Sequence, residues 1–429
     1  MSRQEYPRLG EAISQRILPN GLAVIVVHKP FHAKHYAFFA TSYGGMDLRF
    51  QVDGAWRDTP AGVAHYLEHK MFDTEHESAT QALAKNGAVE NAFTANDMTA
   101  YYFACTEKFY DSLRILLQFV SVPYFTQESV EKEQGIIAQE IRMSDDDPEW
   151  QNYLNIIQCL YQHHPMRTPV VGTVDSIATI TPQLLYDCHR TFYNPSNMVL
   201  VCIGSMDIDE VCAVAEEILP TEAGTPVERD YGAVEDLTPA IPLMEMEMEV
   251  SMPQFVTGFK CAVPTSGVDY LRENIIGNMA CDVLFGDSSP LYNRLYEEGH
   301  INGSLGGSFD VIPNASFLYV GGDANDPHFV SEEITREAMR LANEGIDEEF
   351  YQQIRRATYG QLLRGLNSFE DTAISMADGH FRGFDYYSFP EVFDRVTKAD
   401  IEEFLRRNIV PEHSAISIIY PKADGKENS

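Results

Sequence analysis

Apolar and polar positions divide the chain into a strand-rich start, a helical middle and a second pass through a similar order. "GLAVIVVHK" (Gly21–Lys29) and "HYAFFATSY" (His35–Tyr43) are rich in β-branched and aromatic residues, with Pro30 between them. They predict two opening strands. A helix is expected from about Pro60 to Phe72, because proline suits a first helical turn. A second runs from about Ala79 to a stop at Asn86–Gly87. "AVENAF" and "MTAYYFACT" read as a strand pair. Helices follow near Lys108–Phe119, near Gln127–Met143 with Thr126 as N-cap, and near Trp150–Tyr161. Thr181–Pro182 opens another, to about Phe192. Asn197–Gly204 is then a buried strand and Ile208–Leu219 a helix.

The stretch Pro220–Pro242 is polar, Pro/Gly-rich and without a sustained period, which predicts a linker. After it the order repeats. "ITPQLLYDCHRTFYNPSNMVLVCIG" from Ile180 and "VTKADIEEFLRRNIVPEHSAISIIY" from Val396 both give a capped helix, a short proline turn and an apolar strand. Pro195 and Pro411 fall 216 residues apart at matching places. "KNGAVENAF" near Lys85 and "EEGHINGSL" near Glu297 are each followed by an aromatic strand. The expectation is an α+β fold with a duplicated unit: residues 1–219 and 243–429, joined by 220–242 and enclosing a peptide-sized chamber.

The chemistry concentrates in "VAHYLEHKMF" (Val63–Phe72). On a helix, His65 and His69 share a face one turn apart. Two imidazoles so placed can converge on one ion, and catalytic zinc keeps three protein ligands and an open position. Glu68 reaches the same pocket without being a ligand, as a general base should. The order His-x-x-Glu-His is the inverzincin pattern. Alone it also reads as a helix face with incidental histidines. A third ligand is expected from "EKEQGIIAQEIRM" (Glu131–Met143), where Glu133 and Glu140 stand two turns apart on one face. Ile136, Ile137 and Ile141 lie beside that face and would bury it, and a carboxylate among isoleucines needs a cation. That assigns Glu140 as third ligand and Glu133 as support for a histidine or for the helix pair. Glu133 also reads as an ordinary surface glutamate.

Taken with "NAFTANDMTAYYF", "VEKEQGIIAQEIRMSDDDPEW", "HPMRTPVVGTVDSI" and "FYNPSNMVLVCIG", the motif resembles the pitrilysin/insulinase (inverzincin) family of zinc peptidases, and is most similar to its two-half bacterial members. The likeness covers essentially the whole chain and is stronger in the first half. It implies two homologous α/β halves of the LuxS/mitochondrial-processing-peptidase-like metallohydrolase type, each a mainly antiparallel sheet flanked by helices. It implies one Zn2+ per chain on His65, His69 and Glu140, Glu68 as catalytic base, and Glu133 as an accessory acid of the same catalytic site. It also implies a substrate-binding edge strand at "ENAFT", with Asn91 and Ala92 at the family positions. An exposed edge pairs with an extended peptide through main-chain bonds.

The second half departs from the family pattern. Where an arginine and a tyrosine grip substrate in many two-half members, "LYEEGHING" carries Tyr296 and Asn302. The second half has no His-x-x-Glu-His; its matching helix reads "NIIGNMACDVLFGD". One reading is a dimer with a non-identical paralogue that lacks the zinc motif and supplies the missing pair. The other is a private way of binding substrate.

Charge and cysteine usage narrow the class. At 429 residues with a formal charge of −33, the surface repels phosphate backbones and anionic membranes. No nucleic-acid or membrane partner is expected. The first residues carry no signal-peptide pattern, and no stretch approaches a membrane span. Seven irregularly spaced cysteines without a CxxC fit reduced thiols in a cytoplasm. "SDDDPEW" (Ser144–Trp150) reads as a solvated turn and His163–His164 as loop histidines. "GSLGGSF" (Gly303–Phe309) lacks the lysine of a phosphate loop and reads as strand and turn packing. The expected activity is zinc-dependent peptide-bond hydrolysis on short or unfolded peptides or a peptide precursor. The main rival is a non-catalytic scaffold or chaperone subunit with a relict site, and a second is a zinc hydrolase acting on a non-peptide substrate.

Overall fold

The computed structural model describes residues 2–75, 78–265 and 267–422. The first half opens with strands β1 (Ser2–Tyr6), β2 (Glu11–Ile17), β3 (Ala23–His28) and β4 (His35–Thr41). A small hairpin follows, β5 (Arg49–Val52) with β6 (Ala55–Asp58). Helices α1 (Val63–Met71) and α2 (Ala79–Lys85) lead to β7 (Val89–Thr94) and β8 (Thr99–Cys105). Next come α3 (Phe109–Ser121), α4 (Gln127–Asp145), α5 (Pro148–Leu160), α6 (Val174–Ile177) and α7 (Pro182–Phe192). β9 (Met198–Gly204) and α8 (Ile208–Ile218) complete this half.

The second half runs β10 (Leu243–Met248), β11 (Gln254–Lys260), α9 (Gly267–Phe285) and α10 (Pro290–Glu297). β12 (Gly306–Ile312), β13 (Ala315–Asp323), α11 (Pro327–Glu344) and α12 (Glu348–Gly365) follow. The chain ends with α13 (Phe369–Arg382), α14 (Phe389–Phe393), α15 (Lys398–Asn408) and β14 (Ser414–Pro421).

The sheets carry the duplication. One has the order β1-β2-β3-β9-β4-β8-β7, the other β10-β14-β11-β13-β12. Parallel pairing occurs once in each, β3 with β9 and β10 with β14; every other pairing within them is antiparallel. Setting β3, β4, β7, β8 and β9 against β10, β11, β12, β13 and β14 gives one topology twice. The sequence repeat sits inside it. Thr181 and Thr397 both cap a helix through the side chain, on Leu184 N and Asp400 N. Pro195 and Pro411 each open a 3-10 turn before an apolar strand. β9 is buried along its whole length, as its unbroken apolar run requires.

The chain forms two compact units whose segments alternate along the sequence. The first comprises residues 1–141, 168–231 and 363–387, the second 142–167, 232–362 and 388–429. The exchange is reciprocal. α5 packs on β11 and β14 of the second unit, where Ile156, Ile157, Cys159 and Leu160 share a core with Phe317 and Ala415. α13 packs on β4 and β9, the corresponding strands of the first. At Gly258 a Cβ would meet Ile156 Cγ1 at 2.7 Å, so the close approach of α5 to β11 needs glycine.

Some expectations change. β1 and β2 precede the two strands read as the opening pair. α1 begins at Val63, not near Pro60, because Gly62 adopts φ 92° in the left-handed region and breaks the helix there. The polar stretch 220–242 is irregular but pinned. Its first part holds to the first unit: Arg229 pairs with Asp47 at 3.0 Å and the Tyr231 hydroxyl donates to the same carboxylate at 2.7 Å. Its second part holds to the second unit: Glu235 pairs with Lys260 at 2.9 Å.

Candidate metal centre

The site is built on α1 and α4 beside the edge strand β7, within the first unit. α1 enters the core with almost every side chain covered, including His65, Glu68 and Lys70. Its start is sterically fixed, since a Cβ at Gly62 would meet Val171 O at 2.7 Å. Two contacts tie α1 to the first turn of α4. The Tyr66 hydroxyl donates to Val130 O, and the Lys70 ammonium reaches Ser129 O at 3.4 Å and pairs with Asp73.

The helical register brings the expected residues together. Ligand atoms of His65, His69 and Glu140 lie within 4.8 Å of one another. Glu140 spans both imidazoles: Oε1 stands 3.4 Å from His65 Nε2 and Oε2 3.5 Å from His69 Nε2. Those separations are long for hydrogen bonds to a carboxylate. Each is close to the edge of a tetrahedron whose ligands sit 2.0–2.1 Å from its centre, about 3.3–3.4 Å, and the two run to different oxygens of the one carboxylate. A nitrogen–nitrogen–oxygen set with that spacing fits a zinc ion.

Glu133, one α4 face with Glu140, meets the far side of His69. His69 Nδ1 donates to Glu133 Oε1 at 3.1 Å, which leaves Nε2 turned to the shared centre. Glu133 thus contacts His69 through the nitrogen away from Glu140. Among the described residues His65 has no such partner, and its buried Nδ1 lacks a hydrogen bond; packing holds that ring. The two rings meet edge to face, with centroids 4.6 Å apart.

Charges follow from this packing. Burial pushes the Glu68 carboxyl above its usual range, against the pull of His65 and His69. The contact with His69 holds Glu133 below the carboxylate range, and the contact with His65 does the same for Glu140. Burial alone would lower His69, but its bond to Glu133 and the neighbouring carboxylates raise it.

One premise of the sequence argument fails. Glu140 is not embedded among isoleucines: its side chain is 41% exposed. Ile137 and Ile141 point into the core, whereas Ile136, one turn before Glu140, is 48% exposed. The two sides of α4 divide between core and open site, so the direction of the helix, not burial, delivers Glu140. Asn91 and Ala92 lie on β7, the last strand of its sheet. The Asn91 side-chain oxygen accepts from Ala92 N at 2.9 Å. Sequence reading missed Thr94, whose hydroxyl donates to Glu68 Oε2 at 3.2 Å. The signal was two-residue alternation, which puts Thr94 on the face of Ala92.

Tyr296 on α10 is 56% exposed, and Asn302 donates to Asp323 at 2.8 Å. All seven cysteines are free and buried. Among the described residues no helix is long and apolar enough to cross a membrane.

Comparison with known proteins places these features in a lineage. Residues 51–174 match the family model described as insulinase (peptidase family M16), and residues 179–358 match the M16 inactive domain. The uncharacterized zinc protease YmfH of Bacillus subtilis (strain 168) is 34% identical over 98% of this chain and 99% of its own length. An uncharacterized zinc protease of Mycobacterium leprae (strain TN) is 24% identical over 96% of this chain and 93% of its own. The crystal structure of an M16-like peptidase from Alicyclobacillus acidocaldarius superposes with a TM-score of 0.92 at 32% identity, covering 98% of this chain and 100% of that one. Pitrilysin shares the fold, with a TM-score of 0.75 at 17% identity over 98% of this chain and 46% of its own.

Proposed function

The chain belongs to the M16 (insulinase) family of peptidases, and from that premise we propose that it is a zinc-dependent endopeptidase acting on short or unfolded peptides or a peptide precursor. The observation that carries the proposal is the convergence of His65, His69 and Glu140 beside a buried Glu68. Zinc held there supplies a Lewis acid for the scissile carbonyl and acidifies water at the site. Glu68 takes the proton of the attacking water and returns it to the leaving amine. Glu133 keeps His69 in the tautomer that presents Nε2.

β7 supplies the substrate subsite. Its free edge offers main-chain groups to an extended peptide, which gives affinity with little sequence demand. The Asn91 side chain already satisfies Ala92 N–H, and an incoming peptide carbonyl takes that place. The second half carries no zinc motif and presents Tyr296 and Asn302 where a gripping pair is expected. This favours a dimer with a paralogue that lacks the zinc motif. Buried, free thiols support a cytoplasmic setting.

Zinc stoichiometry and peptide cleavage test the proposal together. Purified protein should carry one zinc per chain, and His65→Ala should lose most of it. Glu68→Gln should keep the metal and lose about 100-fold or more in rate. A Glu68→Gln protein that loses its zinc, or cleaves at the wild-type rate, overturns the assignment. Full zinc occupancy with no cleavage, alone or with the paralogue, favours the scaffold reading.

A further inference from the structure

β7 is the outermost strand of its sheet, and its turn to β8 closes with Ala95 N donating to Met98 O at 2.7 Å. From that closing pair the antiparallel ladder alternates. Phe93 and Asn91 exchange bonds with Ala100 and Tyr102, so the main chains of Thr94, Ala92 and Glu90 face the open edge. Side chains alternate too. The Phe93 ring meets those of Phe38 and Tyr102, at 6.1 and 6.3 Å between centroids. Thr94 and Ala92 lie on the other face, where α1 packs. There the Thr94 hydroxyl donates to Glu68 Oε2 at 3.2 Å, and among the described residues no other side chain hydrogen-bonds to that carboxylate.

We propose that Thr94 is a positioning residue that couples the seating of substrate to the aim of the base. The inference rests on the peptidase reading above. Thr94 joins two surfaces at one Cα: its main chain belongs to the edge that receives an extended peptide, and its hydroxyl ties one oxygen of Glu68. With Oε2 tied, Oε1 is the oxygen free to accept the water proton. The terminal torsion of a glutamate is broad, so without the tie the carboxylate spends less time aimed at the reacting water.

The test uses the full-length, zinc-loaded protein and an internally quenched decapeptide of mixed sequence. Thr94→Val keeps the shape and removes the donor. It should lower kcat about tenfold and leave KM within about twofold, with zinc content unchanged. Thr94→Ser should restore most of the rate. In a Glu68→Gln background, Thr94→Val should cost nothing further. Wild-type kcat in Thr94→Val overturns the proposal, as does a change confined to KM, or a Thr94→Ser protein as slow as the valine variant. Crystal structures of wild type and Thr94→Val, both with zinc, answer without turnover. A displaced or multiply placed Glu68 carboxylate in the variant supports the tie, and an unmoved one refutes it. If the wild type cleaves no peptide, alone or with the paralogue, yet Glu68 moves in the variant, the peptidase reading fails and the tie stands.

Discussion

His189 shows how burial alone tunes a side chain outside the site. Its Nε2 donates to Val120 O at 2.9 Å and its ring stacks on Tyr193, with centroids 4.7 Å apart. Burial lowers its pKa from 6.5 to about 4, with the Val120 carbonyl opposing in part. Between those values the unfolded chain takes up a proton that the folded chain refuses. Folded stability is therefore intact above pH 6.5 and falls as pH drops toward 4. His189→Gln keeps the donor and removes the titration. Denaturant melts between pH 7.5 and 4.5 should show the acid-dependent loss reduced by about 3 kcal/mol. An unchanged slope would refute the assignment. At this scale the sequence was legible where spacing alone decides contact: His65, Glu68 and His69 share a helical face, and Glu133 with Glu140 repeats after two turns. It was not legible for Ile136 against Ile137. Adjacent isoleucines differ by about 100° around the helix, and only the tertiary neighbours choose which one meets the core. Thr94 escaped for a similar reason, since its hydroxyl gains meaning only once β7 lies beside α1.

At the scale of elements, the proposed metal site depends on the angle between α1 and α4. Tyr66 and Lys70 hold the first turn of α4, and about 15 Å of helix separates Val130 from Glu140. A tilt of roughly 5° at that anchor moves the Glu140 carboxylate by about 1 Å. Lys70 is 1% exposed, whereas its partner Asp73 is about half exposed, so removing the amine strands no buried charge. Lys70→Met should weaken zinc binding about tenfold, read by competition with a chromophoric chelator, while the circular dichroism spectrum stays unchanged. Wild-type zinc affinity would show that the anchor does not govern the site. The irregular stretch after α8 has its own anchor. Burial would raise the pKa of Glu235, but the amides of Gln162, His163 and His164 and the Lys260 amine outweigh it and bring it to about 2. The contribution is present above about pH 4.5 and is lost as pH falls toward 2. Glu235→Gln should cost about 2 kcal/mol at pH 7, and a melt that matches wild type would refute this. Proline and glycine content announced irregular backbone over 220–242 but could not announce these anchors, which are long-range. β1 and β2 were illegible because "SRQEY" and "EAISQRI" lack a sustained apolar alternation. β2 takes its strand character from pairing with β3, and β1 in turn from pairing with β2.

The whole molecule adds what no local window contains. The repeat was visible in the sequence as Thr181–Pro195 against Thr397–Pro411, because the same capped helix, proline turn and buried strand need the same residue types. The exchange of α5 for α13 was not, since each is an ordinary amphipathic helix whose pattern does not say which sheet it covers. That exchange has a consequence for folding. A fragment ending near residue 241 keeps α1, α4 and β7, and so the whole metal centre. It lacks α13, leaving the face of β4 and β9 that α13 packs on uncovered, and it carries α5 with an apolar face formed by Ile156, Ile157 and Leu160 that belongs against β11 and β14. A fragment from residue 242 onward has the complementary defect. Each therefore exposes two apolar surfaces that the intact chain buries, and fully burying one Leu, Ile or Phe side chain is worth about 1.5–3 kcal/mol. A few such losses match the entire stability of a typical domain. Expressed alone, both fragments should be insoluble or bind a hydrophobic dye strongly; co-expressed, they should copurify and recover zinc binding, and the full chain should unfold in one calorimetric transition. A soluble, cooperatively melting 1–241 fragment would mean that the exchanged helices decorate the two units and do not complete their cores.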